Sequence, residues 1–259
     1  MTPFQPTPYP LVNGLLQSLR DGIQAILGEQ LVGLYLYGSL ALGDFDPRKS
    51  DIDFLAATRA ELRGEPLAAL QVFHRHFAQG SSPWADELEG SYIPLAALRR
   101  YDPADTHHPH LDRGSGGALS VEQHDTDWIV QRYSLREYGV TLLGPAPRAL
   151  IDPILPDELR QAVRDLLWWW QLQLRDTSRV QTPGYQAYAV LSMCRIRYTL
   201  REGCILSKPQ AARWAQQFLG QPYAVLIERA LAWQPGQSLD CLPETLDFIR
   251  DTLREAKHI

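Results

Sequence analysis

Cysteine is scarce in this chain: three in 259 residues, at Cys194, Cys204 and Cys241. An odd count without ligand-like spacing argues against a disulfide framework and a cysteine-built zinc site, and is consistent with a reducing cytoplasm. Positive charge is also short. Lys and Arg number 25 against 30 Asp and Glu, a net charge of -5, whereas a long nucleic-acid footprint needs clustered basic side chains that displace counterions. A nucleic-acid partner is therefore not expected. Long apolar runs are missing too: the patch Trp168, Trp169, Trp170 is flanked by Arg164, Asp165 and Arg175, so no membrane span is expected. Residues 1–11 are punctuated by proline and lack a basic region followed by an apolar core. They do not read as a signal peptide.

What is present is enough apolar residue, 45%, to build real cores, in a length that suits two ordinary domains better than one large one. The chain is organised around residues 31–55. An apolar run over 31–37, rich in strand formers, stops at Gly38-Ser39, where glycine permits a tight turn and leaves backbone amides free to face an anion. Beyond the turn formers Asp46 and Pro47, a second strand carries Asp51 and Asp53. Alternation along a strand puts these two carboxylates on one face and Ile52 and Phe54 on the other. Carboxylates held together repel unless a cation neutralises them, and hard oxygen ligands select magnesium, which also takes phosphate oxygens. Taken alone, an Asp-x-Asp is more often a solvated strand end. The Gly-Ser turn upstream tips the reading towards a metal–triphosphate site.

Helical spacing marks 12–27 and 60–77. His74 and His76 on the second helix point in different directions and are read as surface histidines rather than ligands. After a break at 80–83, a third strand is expected over 88–95 with Glu89 at its start. Residues 98–127 lose periodicity and gather His107, His108, His110, Gly114, Gly116 and Gly117; they read as a long loop, either a lid or binding element or a flexible segment. The histidines could bind a metal, but Pro109 interrupts them and no cysteine partners them. A helix over 126–138 and a short strand from 140 lead into a stiff linker with Pro145, Pro147, Pro153 and Pro156, which sets a domain boundary near Asp152. Beyond it, 156–174, 184–202, 208–219, 222–233 and 242–257 are each amphipathic at helical spacing. The expected chain is therefore α+β: a mixed sheet with flanking helices over 1–152, then an all-α helical bundle over 153–259. The tryptophan triplet is read as core or interdomain packing.

The Gly38-Ser39 turn, followed about a dozen residues on by Asp51 and Asp53 between apolar runs, resembles the signature of the DNA polymerase beta-like nucleotidyltransferase superfamily. The run from Arg136 through Gly144 and Pro145 to Asp152 and Pro153 resembles the segment joining the two domains of streptomycin- and spectinomycin-type aminoglycoside adenylyltransferases. So does a helix bearing Arg195 followed by Ser207-Lys208. The resemblance implies magnesium on Asp51 and Asp53, nucleotide phosphates at Gly38 and Ser39, and Arg195 and Lys208 reaching the triphosphate of ATP. It also implies Glu89 as general base for the acceptor hydroxyl, favoured over Asp86 and Glu87 in the preceding turn because a strand end holds geometry better than a loop. The implied activity is transfer of AMP from ATP to a hydroxyl of a small molecule, an aminoglycoside or aminocyclitol before others. It would be carried out by a cytoplasmic monomer without nucleic-acid or membrane partners. The chain departs from the resemblance over 175–188, where the antibiotic-modifying relatives present carboxylates and an asparagine. Here there are one acid, Asp176, two arginines, Arg175 and Arg179, and Tyr188 near the asparagine position. The acceptor therefore stays open, with a protein side chain or a toxin-antitoxin type target as the alternative. A nucleotide-binding module without catalysis is the third class, and intact Ser39, Asp51, Asp53 and Glu89 speak against it.

Overall fold

The computed structural model describes residues 4–221 and 223–257. Two compact units emerge: one runs to Phe45 and resumes over Ser50–Pro153, and the other holds Asp46–Lys49 and the chain from Ile154 onward.

The first unit is built on a six-stranded sheet in the order β5-β4-β3-β2-β1-β6. Its strands are β1 (Leu31–Leu36), β2 (Ile52–Thr58), β3 (Leu88–Pro94), β4 (His107–Leu111), β5 (Leu119–Gln123) and β6 (Val140–Leu143). Only β2 and β3 pair in parallel; the other neighbours are antiparallel. The parallel pair needs a crossover, supplied by α3 (Gly64–Ala78), which packs beside α1 (Pro10–Leu27). The stripe Val12, Leu15, Leu16, Leu19 and Ile23 of α1 is buried with Leu34, Leu36, Ile52, Phe54 and Tyr92 of the sheet in one apolar core. Side chains of β2 and β3 on the opposite face, Asp53 and Glu89 among them, are thereby left for chemistry. The unit also holds α2 (Gly38–Leu42), α4 (Leu95–Arg99), α5 (Asp127–Tyr138) and α6 (Pro147–Leu150), with α2 packed against β2, α4 against β2 and β3, and α5 against α2 and α6.

Two expectations are corrected here. The stretch 98–127 is not a structureless loop, since it holds the end of α4 and the β4–β5 hairpin. Its first strand is rich in histidine rather than in alternating apolar residues and its second is only five residues long; the two are held by pairing with each other and, for β4, with β3, which periodicity along one segment does not report. His74 is not a surface histidine. It is buried on α3, with Nε2 2.6 Å from the Tyr92 hydroxyl and its ring against Phe54 and Phe73.

The second unit is helical: α7 (Pro156–Asp165), α8 (Leu167–Arg175), α9 (Pro183–Glu202), α10 (Lys208–Leu219), α11 (Tyr223–Ala232) and α12 (Leu242–Glu255). The single helix expected over 156–174 is divided at Leu166 into α7 and α8, and the expected helix start at Pro222 lies outside the described residues. The long helix α9 is the axis of this unit and packs against α7, α10, α11 and α12. Its buried Arg197 donates to Thr252 Oγ1 at 2.8 Å, pairs with Glu255 and lies over the Phe248 ring. Of the tryptophan triplet, Trp170 is buried whereas Trp168 is exposed. No helix among the described residues is long and apolar enough to cross a membrane.

Candidate active site

The end of β1 delivers the chain to Tyr37, whose N–H donates to the Asp53 carbonyl at 3.2 Å, and then to Gly38 at φ 62°. A Cβ built on Gly38 would overlap the Asp53 carboxylate. Glycine is required there on two counts, the left-handed backbone and the close approach of the acid. The next residue, Ser39, presents a buried hydroxyl that has no hydrogen-bond partner among the described residues. A buried donor left unpaired costs free energy, and a phosphate oxygen would satisfy it.

Asp53 and Glu89 are direct partners across the parallel pair β2–β3, and Ile52 N donates to the Glu87 carbonyl at 2.9 Å, which pins that register. Asp51 lies one residue before β2 begins, rather than within the strand as expected. The convergence of the acids is visible at Tyr37, whose hydroxyl is pushed well above its usual pKa. Burial is the first cause, and the negative charges of Asp53, Glu89, Asp51 and Asp127 follow. Such a set of hard oxygens fits a magnesium ion, which would be held by Asp51 and Asp53.

The rivals of Glu89 have other partners. Asp86 accepts from Gly116 N–H at 2.8 Å through Oδ1 and from Gly114 N–H at 2.6 Å through its carbonyl, and Glu87 pairs with Arg113 at 2.5 Å. Both acids therefore anchor the loop between β4 and β5. Reasoning from sequence also missed two residues at this site. Arg113 extends from that loop and lies 3.4 Å from the Asp51 carboxylate, a contact that only the hairpin creates. Asp127, in the first turn of α5, has its pKa raised to about 6 by burial and by neighbouring Asp125. Its place at a helix start was legible, its approach to Tyr37 was not.

Gly38, Ser39, Asp51, Asp53 and Glu89 thus gather on one face of the first unit. Arg195 and Lys208 belong to the second. Arg195 is half-buried on α9. Lys208 opens α10, where Ser207 caps the helix by accepting from Gln210 N–H, and its ammonium sits 4.4 Å from the centre of the Tyr188 ring. Tyr188 also stacks on Trp170, and Tyr185 lies against both Trp169 and Tyr188.

Residues 149–258 match the family model described as "Aminoglycoside adenylyltransferase, C-terminal domain". Over 245 residues the chain is 26% identical to an aminoglycoside (3'') (9) adenylyltransferase of Escherichia coli, covering 91% of this chain and 89% of that one. A spectinomycin 9-adenylyltransferase of Staphylococcus aureus is 21% identical over 238 residues, 88% of this chain and 86% of the relative. Among solved structures, a spectinomycin adenyltransferase from Enterococcus faecialis with ATP and spectinomycin shares the fold. Its TM-score is 0.72 at 15% identity, over 93% of this chain and 98% of that one. A family model over the helical part and relatives matched along nearly their whole length agree in likening the chain to the aminoglycoside adenylyltransferases.

Proposed function

We propose that this chain transfers AMP from ATP to a hydroxyl of a small acceptor, an aminoglycoside or aminocyclitol. The observation that carries the reading is the side-by-side placement of Asp53 and Glu89 on β2 and β3, next to a glycine turn whose serine hydroxyl is buried and unpartnered among the described residues. It is supported by the relatives, which are named for aminoglycoside and spectinomycin adenylyl transfer.

In this reading, Gly38 and Ser39 receive phosphate oxygens of ATP. Asp51 and Asp53 hold magnesium, which when bound neutralises charge on the triphosphate. Glu89 accepts the proton of the acceptor hydroxyl as its oxygen bonds to the α-phosphorus. The bond from that phosphorus to the bridging oxygen breaks, and pyrophosphate leaves with the electron pair. Arg195 and Lys208 are assigned to the triphosphate. The division into a nucleotidyltransferase domain over 1–152 and a helical domain over 153–259 belongs to the same reading, as does a monomer working in the cytoplasm without nucleic acid.

The test is pyrophosphate release from ATP with a panel of aminoglycosides and aminocyclitols, run beside Glu89→Gln. Acceptor-dependent release that disappears in the variant is the expected result. Release driven only by protein substrates, or unaffected by the variant, would overturn it.

A further inference from the structure

The β4–β5 hairpin at the sheet edge carries a second group of metal-ligand side chains that the transfer reaction does not use. His110, Asp112 and Glu122 each offer a ligand atom, and these atoms lie within 4.8 Å of one another. His110 Nε2 is 3.4 Å from Asp112 Oδ1. Bonds of about 2.1 Å from one ion to nitrogen and oxygen put neighbouring ligand atoms roughly 3–3.5 Å apart, so this pair already has the spacing of a shared ion. Glu122 is the cross-strand partner of His108, whose side chain shares the His110 face of β4. It closes the third side.

The imidazole is oriented as a ligand would be. Its other nitrogen, Nδ1, is 2.7 Å from the hydroxyl of Ser91, a fully buried residue opposite His110 on β3. With Nδ1–H donating to Ser91 Oγ, the lone pair of Nε2 is left facing the two carboxylates, the arrangement by which a neighbouring group sets the tautomer of a metal-binding histidine. Glu122 is steadied in the same way, because Ser120 Oγ donates to its Oε1 at 2.6 Å. His110 and Glu122 are half-buried while Asp112 is exposed, which gives an ion a way in and room for water as a further ligand.

We propose that His110, Asp112 and Glu122 form a second divalent-cation site, separate from the aspartates of the phosphate turn, that clips β4 to β5. One imidazole with two carboxylates selects borderline ions of the zinc, cobalt and nickel kind, whereas magnesium and calcium prefer oxygen alone. The clip has a structural consequence beyond the hairpin. Asp112 directly precedes Arg113, the residue that pairs with Asp51 and Glu87, so an ion here orders the loop lying against the phosphate-binding face.

The experiment uses the full chain carrying Asp51→Asn and Asp53→Asn, stripped with chelator and titrated with zinc by calorimetry and with cobalt by visible absorption. One equivalent should bind, with the d–d bands of cobalt held by nitrogen and oxygen. His110→Gln, or Glu122→Gln where the first folds poorly, should weaken binding by at least about tenfold, and Ser91→Ala by about tenfold through loss of orientation. No heat and no cobalt bands in the parent would overturn the site and leave His110 and Asp112 as a plain side-chain contact. So would unchanged affinity in both ligand variants. Neither result touches the transfer reaction, which is read from pyrophosphate release by the chain with both aspartates intact.

Discussion

Asp53 and Glu89 stand opposite each other on the one parallel strand pair of the sheet, so the backbone ladder itself sets the separation of the two acids. Their assigned roles are separable. Glu89→Gln keeps shape and removes the proton acceptor, and should lower turnover roughly a hundredfold or more while magnesium-ATP affinity stays near that of the parent. Asp53→Asn should instead abolish transfer by removing charge from the metal. Calorimetric binding beside single-turnover kinetics distinguishes the two; loss of nucleotide binding in Glu89→Gln would reassign Glu89 to the metal.

Gly38→Ala should be damaging although it adds a single methyl group. The position has φ 62° and faces the Asp53 carboxylate, and a non-glycine residue in the left-handed region costs about 1–2 kcal/mol before any clash. Urea unfolding should show that loss, and turnover should fall further because Asp53 is displaced. A variant as stable and active as the parent would contradict the close approach.

Arg113 places a positive charge 3.4 Å from Asp51. Both partners are partly solvated, so the pair is modest, and Arg113→Ala should tighten magnesium binding only about two- to fivefold. Manganese titration followed by electron paramagnetic resonance, in the absence of nucleotide, measures this directly. Weaker binding in the variant would mean that Arg113 supports the site rather than competes with the ion.

Lys208→Ala should weaken ATP binding by roughly ten- to a hundredfold if its ammonium meets the triphosphate, the loss expected for one charge-assisted contact. Tyr188→Leu, which removes the ring under that ammonium, should have a smaller effect. Equal ATP affinity in the parent and Lys208→Ala would remove the residue from the nucleotide site.

Stability should fall on acidification below neutrality. Burial holds His74 neutral, with its pKa lowered to about 4, whereas in the unfolded chain it titrates near 6.5. Between those values the unfolded chain takes up a proton that the folded one refuses. The stabilisation is therefore complete above pH 6.5 and is lost as pH drops towards 4, about 3 kcal/mol over the window. His124, lowered to about 3 mainly by burial, acts in the same direction. Chemical denaturation of His74→Gln at pH 7 and pH 4.5 should show a clearly smaller difference than in the parent; an identical difference would count against this origin.

Much of the molecule was legible along the chain because its signals are local. The glycine at the turn after β1, the alternation that places Asp53 opposite Ile52, and the helical periodicity beyond residue 153 each depend on neighbours a few positions away. The placing of Glu89 within a strand, with Asp86 and Glu87 before it, followed from a strand boundary too. Pairing between distant segments decided the rest. The histidines of residues 107–110 carry no apolar alternation, so β4 exists only through β3 and β5. Arg113 reaches Asp51, and Ser91 orients His110, across 62 and 19 positions of sequence. His74 is buried because β3 sets Tyr92 beneath α3. Such contacts arise from the packing of a whole sheet face, and no short window of residues contains the free energy that selects them.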